Sequence, residues 1–457
     1  MSPRVVADPP EHPVREVAEQ ERERQRRDGL GEPDGGAEEA TQDPDGDETA
    51  EHRDDDGDPR GRRTKTFHTV AFAATLKRLR FAGVDGERTP APAFRLALCR
   101  GTALHSVAVA FCGDGDNDRP MTPTLDEIDL ETVPLGRTGL RTSELQFGTW
   151  RFGRVTEAGN VEIDEARAHE LLDAYEAAGG RYIDTADVYG GGDCERWIGD
   201  WLAERDRERY TIASKVYWQI RDGDPNSRGT NRKNVRHRVD ALLDRLDTDY
   251  VDVLYIHRWD DETPARELMK TLNGLVESGT VHYLGASTLR PNAWKVARAN
   301  EIARSEGWEP FTVLQPRYNL VDREVEGDYL EFARQQDLAV CPWSPLGQGF
   351  LTGKYDREED LPEESKAAES SRFQEAYLTA ENFDLHDELD AVADEVDASP
   401  AQVALAWLAH REGVTAPIVG ARTVEQLEEN LAAAAIDLSN EQVDRLTAAK
   451  PGPYDGL

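Results

Sequence analysis

Arg181-Tyr-Ile-Asp-Thr-Ala-Asp-Val-Tyr-Gly190 decides the fold, read with Ala213-Ser-Lys-Val216 and Asp252-Val-Leu-Tyr-Ile-His257 further along the chain. Each run reads as a short apolar strand. Asp184, Lys215 and His257 fall at or near the C-terminal ends of those strands, and Tyr189 lies on the loop after the first. In a parallel barrel such ends converge on one face, where active sites are built. A carboxylate, a tyrosine, a lysine and a histidine gathered there form a candidate proton-transfer unit.

Working outward, short apolar runs alternate with amphipathic stretches from about residue 133, the pattern of repeated βα units. Eight strands are expected, over 145–148, 182–184, 211–215, 251–257, 281–287, 312–316, 338–343 and 416–420. Between them, Ala168, Leu171, Leu172 and Tyr175 recur at helical spacing. So do Val235, Val239, Leu242, Leu243 and Leu246, and then Leu268, Leu272, Leu275 and Val276. Gly179-Gly180 ends the first helix as a left-handed cap would. No G-x-G-x-x-G follows the first strand, which counts against a Rossmann domain. The expected fold is an α/β (β/α)8 TIM barrel over 121–457. A long polar stretch over 349–381 reads as an irregular loop, either functional or a surface insertion.

Residues 1 to about 63 are charged, rich in Pro and Gly, and nearly free of aromatics. Such a segment buries too little apolar surface to offset its ordering entropy. Residues 64–120 show no clear period. The segment 1–120 is therefore expected to be an acidic, disordered or poorly structured extension. Alternatively the native protein starts at Met121, one of three methionines. Arg62-Arg63 before Val70 to Leu76 is a poor twin-arginine signal, because Lys77-Arg-Leu-Arg80 breaks the apolar part.

Composition narrows the function classes. Acidic residues outnumber basic ones, 90 to 54, for a net charge of -36. That balance argues against nucleic acid, whose phosphates require a basic surface. Few lysines, methionines and cysteines beside abundant Asp and Glu give the chain a halophile-like, solvating surface. Cys99, Cys112, Cys194 and Cys341 have no zinc-ligand spacing, and reduced thiols in a cytoplasmic protein are expected. No apolar run approaches the roughly 20 residues of a membrane span. No metal site is expected. Monomer and homo-oligomer both remain open.

The chemistry of the four residues is specific. A free phenol has a pKa near 10. A neighbouring ammonium can lower it by about one to three units. Tyr189 would then be the general acid, Lys215 its tuner, Asp184 the partner of the lysine, and His257 the group that orients a carbonyl. A lone aspartate at a strand end more often caps a helix. The joint occurrence on consecutive strands is what carries the argument. Lys215 also stands in a chain that otherwise prefers arginine, which cannot be tuned in this way.

From about Val133 to the C-terminus the chain resembles an aldo-keto reductase. The resemblance rests on Leu135-Gly-Arg-Thr-Gly-Leu140, Phe147-Gly-Thr-Trp150, Asp184-Thr-Ala-Asp-Val-Tyr-Gly190 and Asp249-Tyr-Val-Asp252 through His257. It continues in Gln315-Pro-Arg-Tyr-Asn-Leu320, Trp343-Ser-Pro-Leu-Gly347 and Gly420-Ala-Arg-Thr423 with Gln426, Glu429 and Asn430. The resemblance implies a nicotinamide cofactor lying across the C-terminal face, and a small-molecule carbonyl substrate; Arg422 favours NADPH, with NADH as the alternative. It implies that Ser287, Thr288 and Gln315 hold the carboxamide and that Trp343 stacks on the ring. Ser344, Leu346, Gln348 and Lys354 would lie near the pyrophosphate. Gly420, Arg422, Gln426, Glu429 and Asn430 would surround the adenosine end, with Arg422 clasping a 2′-phosphate. Thr288 departs from the family pattern, where many members carry asparagine. Trp150 is expected to wall the substrate pocket. The alternative is a cofactor-binding regulatory subunit on the same fold, since fold alone does not fix function.

Overall fold

The computed structural model describes residues 125–156, 159–287, 292–357, 361–362 and 365–453. The expectations for residues 1–120, for Met121, Cys99 and Cys112, and for Thr288 lie outside these residues. Eight parallel strands form one sheet: β1 (Gln146–Gly148), β2 (Tyr182–Asp184), β3 (Thr211–Val216), β4 (Val251–Ile256), β5 (Val281–Ser287), β6 (Phe311–Gln315), β7 (Ala339–Val340) and β8 (Ile418–Val419). Their order is β8-β1-β2-β3-β4-β5-β6-β7, with β8 pairing β1. The ring is joined between β7 and β8 by backbone bonds, Thr415 N to Val340 O and Ile418 N to Pro342 O, both 2.8 Å. This is the expected (β/α)8 barrel. β7 and β8 are shorter than their apolar runs suggest. Pro342 and Pro417 flank them, and proline has no N–H to give to a ladder.

β3 is buried along its whole length, as a strand covered on both faces must be. The apolar helical stripes face the barrel as expected. Ala168, Leu171, Leu172 and Tyr175 are buried on α1 (Glu165–Ala177). α2 (Asp193–Leu202) follows β2. Val235, Val239, Leu242 and Leu246 are buried on α3 (Arg232–Leu246), and Leu268, Leu272 and Leu275 on α4 (Ala265–Glu277). Gly179 does cap α1, at φ +82°.

A smaller core fills the barrel interior, with Tyr182, Ala213, Val253, Tyr255, Val313, Ala339, Cys341 and Ile418. The Tyr182 and Tyr255 hydroxyls lie 3.2 Å apart. Gly285 on β5 is required here, because a Cβ at that position would sit 2.3 Å from the Tyr255 ring. Leu135, from the turn of a hairpin formed by Thr132–Pro134 and Arg141–Ser143, completes this inner core. Arg137 N on the same turn donates to Asp337 O at 2.8 Å, just before β7, so the hairpin covers the N-terminal end of the barrel.

The stretch expected to be an irregular loop over 349–381 is partly helical. It holds Lys366–Glu369 and Ser371–Tyr377, whose first turns are capped by the Ser365 and Ser370 side chains. Polar composition hid them because these serines are caps rather than loop residues. No helix among the described residues is long and apolar enough to cross a membrane.

Candidate active site

The four residues singled out in the sequence meet at the C-terminal rim. Asp184 ends β2, Lys215 is the penultimate residue of β3, His257 follows β4, and Tyr189 opens a short 3-10 turn before α2. Lys215 Nζ donates to Asp184 Oδ2 at 2.6 Å, to Thr185 O at 2.8 Å, and to Tyr189 Oη at 3.4 Å. All three ammonium protons therefore have acceptors. Lys215 is 1% exposed and Asp184 4%. Burial alone would depress the lysine, yet Asp184 and Tyr189 outweigh it and raise its pKa above the ordinary value.

The phenol behaves differently from the expectation. Burial pushes Tyr189 up to about 12, although Lys215 pulls it down. Asp184, 2.6 Å from the ammonium, cancels much of the field that would stabilise a phenolate. The lysine acts in the expected direction and loses to desolvation. His257 packs edge-on against Tyr189, with centroids 5.9 Å apart, and against Trp218 at 6.0 Å. Burial, and then the charges of Lys215 and Arg238, hold its pKa well below the ordinary value, so the ring is neutral.

The expected cofactor residues among the described ones lie at, or follow, the C-terminal ends of β5 to β8. Gln315 Nε2 donates to Asp184 Oδ1 at 2.7 Å, which ties the expected carboxamide holder to the proton-transfer unit. Ser287 Oγ donates to Gln315 O at 3.0 Å. Trp343 is half-buried under the Arg317 guanidinium, 5.6 Å from the ring centre. Ser344 and Gln348 both take positive φ, and Gln348 N donates to Ser344 Oγ at 3.1 Å. Leu346 is half-buried beside them, and Lys354 follows in the same loop. Past β8, Asn430 Nδ2 donates to Gly420 O at 3.3 Å and Arg422 N donates to Gln426 Oε1 at 2.9 Å. Glu429 O accepts from Gln402 Nε2 at 3.2 Å. Trp150 is 48% exposed, with the Arg154 guanidinium 4.6 Å from its ring centre.

Sequence reasoning missed two buried ion pairs behind the site. Arg238, 1% exposed, pairs with Asp187 and donates to Trp218 O at 2.9 Å. Burial pushes Asp187 up to about 7 against the pull of Arg238. Arg245 Nη2 lies 2.7 Å from Glu195 Oε2, and Glu195 Oε1 accepts from Ser214 Oγ at 2.6 Å. The signal was present: Arg238 interrupts the apolar face set by Val235, Val239 and Leu242, and a charge on such a face needs a partner. Cys194 is likewise buried against the site, with its Sγ 3.0 Å from Thr149 Oγ1 and 3.1 Å from Thr185 Oγ1.

A family model described as the aldo/keto reductase family matches residues 144–451. The chain belongs to the aldo/keto reductase family. It is 32% identical over 338 residues to norsolorinic acid reductase of Aspergillus flavus, spanning 73% of this chain and 83% of that relative. It is 33% identical over 334 residues to an aryl-alcohol dehydrogenase of Pestalotiopsis microspora, spanning 72% of this chain and 84% of that one. A third relative is an uncharacterised oxidoreductase of Bacillus subtilis, 34% identical over 333 residues and matched over 97% of its length. The family and these relatives make the chain an oxidoreductase of the carbonyl-reducing kind.

Proposed function

We propose that the chain is an NADPH-dependent carbonyl reductase in which Tyr189 donates the proton. The observation that carries this reading is the bridge made by Lys215 Nζ between Asp184 Oδ2, at 2.6 Å, and Tyr189 Oη, at 3.4 Å. Two buried polar atoms support a ligand on the rim: His257 Nδ1 and Trp343 Nε1 have no hydrogen-bond partner among the described residues. Both rings flank the strand ends that carry Ser287 and Gln315.

A reduced nicotinamide, when bound, supplies the hydride. Ser287, Gln315 and Trp343 would hold its carboxamide and ring. Ser344, Leu346, Gln348 and Lys354 would lie along the pyrophosphate. Gly420, Arg422, Gln426, Glu429 and Asn430 would surround the adenosine, and Arg422 favours the 2′-phosphorylated form. Thr288 belongs to the carboxamide group by sequence alone. The neutral His257 orients the substrate carbonyl by a hydrogen bond. Tyr189 Oη holds the proton that the developing alkoxide takes up. Lys215 stabilises the negative charge left on the phenol oxygen, and Asp184 keeps the ammonium charged and aimed. Trp150 walls the approach.

Tyr189→Phe tests the assignment. It is expected to cut carbonyl turnover about 10²- to 10⁴-fold, the usual worth of a general acid, with NADPH still bound. Unchanged turnover would remove Tyr189 from the mechanism. NADPH binding by the native chain with no turnover of any aldehyde or ketone would favour a regulatory subunit instead.

A further inference from the structure

Three guanidinium groups from two neighbouring strand ends hold one carboxylate, and two of them also act on the Lys354 ammonium. Arg151 and Arg154 follow β1, Lys354 follows β7, and Arg422 follows β8, so all four lie on the rim that holds the site. The carboxylate is Glu162, 7% exposed, on the returning arm of the β1 loop, where Phe152 bridges Ile163 and Val155 bridges Val161. Arg154 Nη1 donates to Glu162 Oε2 at 2.6 Å, Arg422 Nε donates to Oε1 at 2.8 Å, and Arg151 donates to the same Oε1. Burial would raise the Glu162 carboxyl, but the three guanidinium groups hold it below its ordinary value. The Lys354 ammonium is pulled down by the protein packed around it and then by the charges of Arg422 and Arg151. Arg422 and Arg151, two of the three arginines that hold Glu162, therefore also repel Lys354, in a chain whose net charge is -36.

Gathering like charges is costly unless a strong anion comes to them. Glu162 brings one negative charge, whereas a phosphate monoester brings about 1.5 to 2 at neutral pH and three acceptor oxygens. Forked guanidinium groups suit that geometry. We propose that this knot seats the 2′-phosphate of the cofactor. Arg151 and Arg154 bind it beside Arg422, and Glu162 is a resident counter-anion that the phosphate displaces. The inference rests on the dinucleotide reading given above, and it makes the β1 loop part of cofactor discrimination.

The test is the dissociation constant of NADPH and of NADH, measured by titration calorimetry on the full chain and on Arg151→Ala, Arg154→Ala and Glu162→Gln. Each arginine variant is expected to weaken NADPH about tenfold, the worth of one charge-assisted hydrogen bond, and to leave NADH within about twofold. Glu162→Gln is expected to tighten NADPH several-fold, since the competitor for the arginines is gone. Equal weakening of both dinucleotides, or weaker NADPH binding by Glu162→Gln, would make the knot a structural clasp and overturn the inference. If Arg154→Ala does not fold, Arg154→Lys keeps the charge without the fork and allows the same comparison. A native chain that binds neither dinucleotide would instead sink the reading beneath it.

Discussion

At the residue scale, the phenol sets the pH behaviour. Tyr189 must be protonated to donate, so donation persists below its pKa and is lost as pH rises through it. Because burial pushes that pKa up to about 12 in the free protein, kcat/KM for reduction is expected to stay level from neutrality to roughly pH 9. A pH profile falling near pH 7 to 8 would show a far more acidic donor. Lys215→Met removes the stabilising charge, so it is expected to lower turnover and to move any alkaline limb upward. The residue types at Asp184, Tyr189, Lys215 and His257 were legible in the sequence because strand ends in a parallel barrel must converge. The balance of forces on the phenol was not, since desolvation depends on packing that no spacing reveals. The Glu162 knot was equally hidden. Its three arginines come from two separate loops, and only the closed ring brings those loops together.

At the element scale, helices α2 and α3 are tied to the barrel by charge as well as by apolar packing. Glu195 on α2 meets Arg245 on α3, and Arg238 on α3 reaches Asp187 on the loop after β2. Removing one partner of a buried pair leaves an uncompensated charge. Asp187→Asn is therefore expected to destabilise the fold by about 3–5 kcal/mol, measured by urea unfolding. A loss below about 1 kcal/mol would mean that water or rearrangement reaches Arg238. The strand and helix order was readable because periodicities of two and 3.6 follow from backbone geometry. The lengths of β7 and β8 were overestimated, because apolar runs continue through Pro342 and Pro417 where a ladder cannot. The helices Lys366–Glu369 and Ser371–Tyr377 were missed, because each is too short to display a period.

At the scale of the whole molecule, every residue proposed for the site lies between Trp150 and Asn430, and the family match begins at residue 144. We propose that the barrel is self-sufficient. A chain started at Met121 is expected to keep its thermal transition and its NADPH affinity. A marked loss of either would give the first 120 residues a part in the fold or the site.

The seam between β7 and β8 has a consequence for how the protein is made. The strand pairing Gln146 is Ile418, near the far end of the chain. A ribosome must therefore release the chain at least through Val419 before the cylinder can shut. Until then β1 has a bare edge, and the rim that would receive a dinucleotide is incomplete. Contacts so distant along the chain are slow to form. Any nascent chain stalled short of Val419 would expose that edge to neighbouring polypeptides.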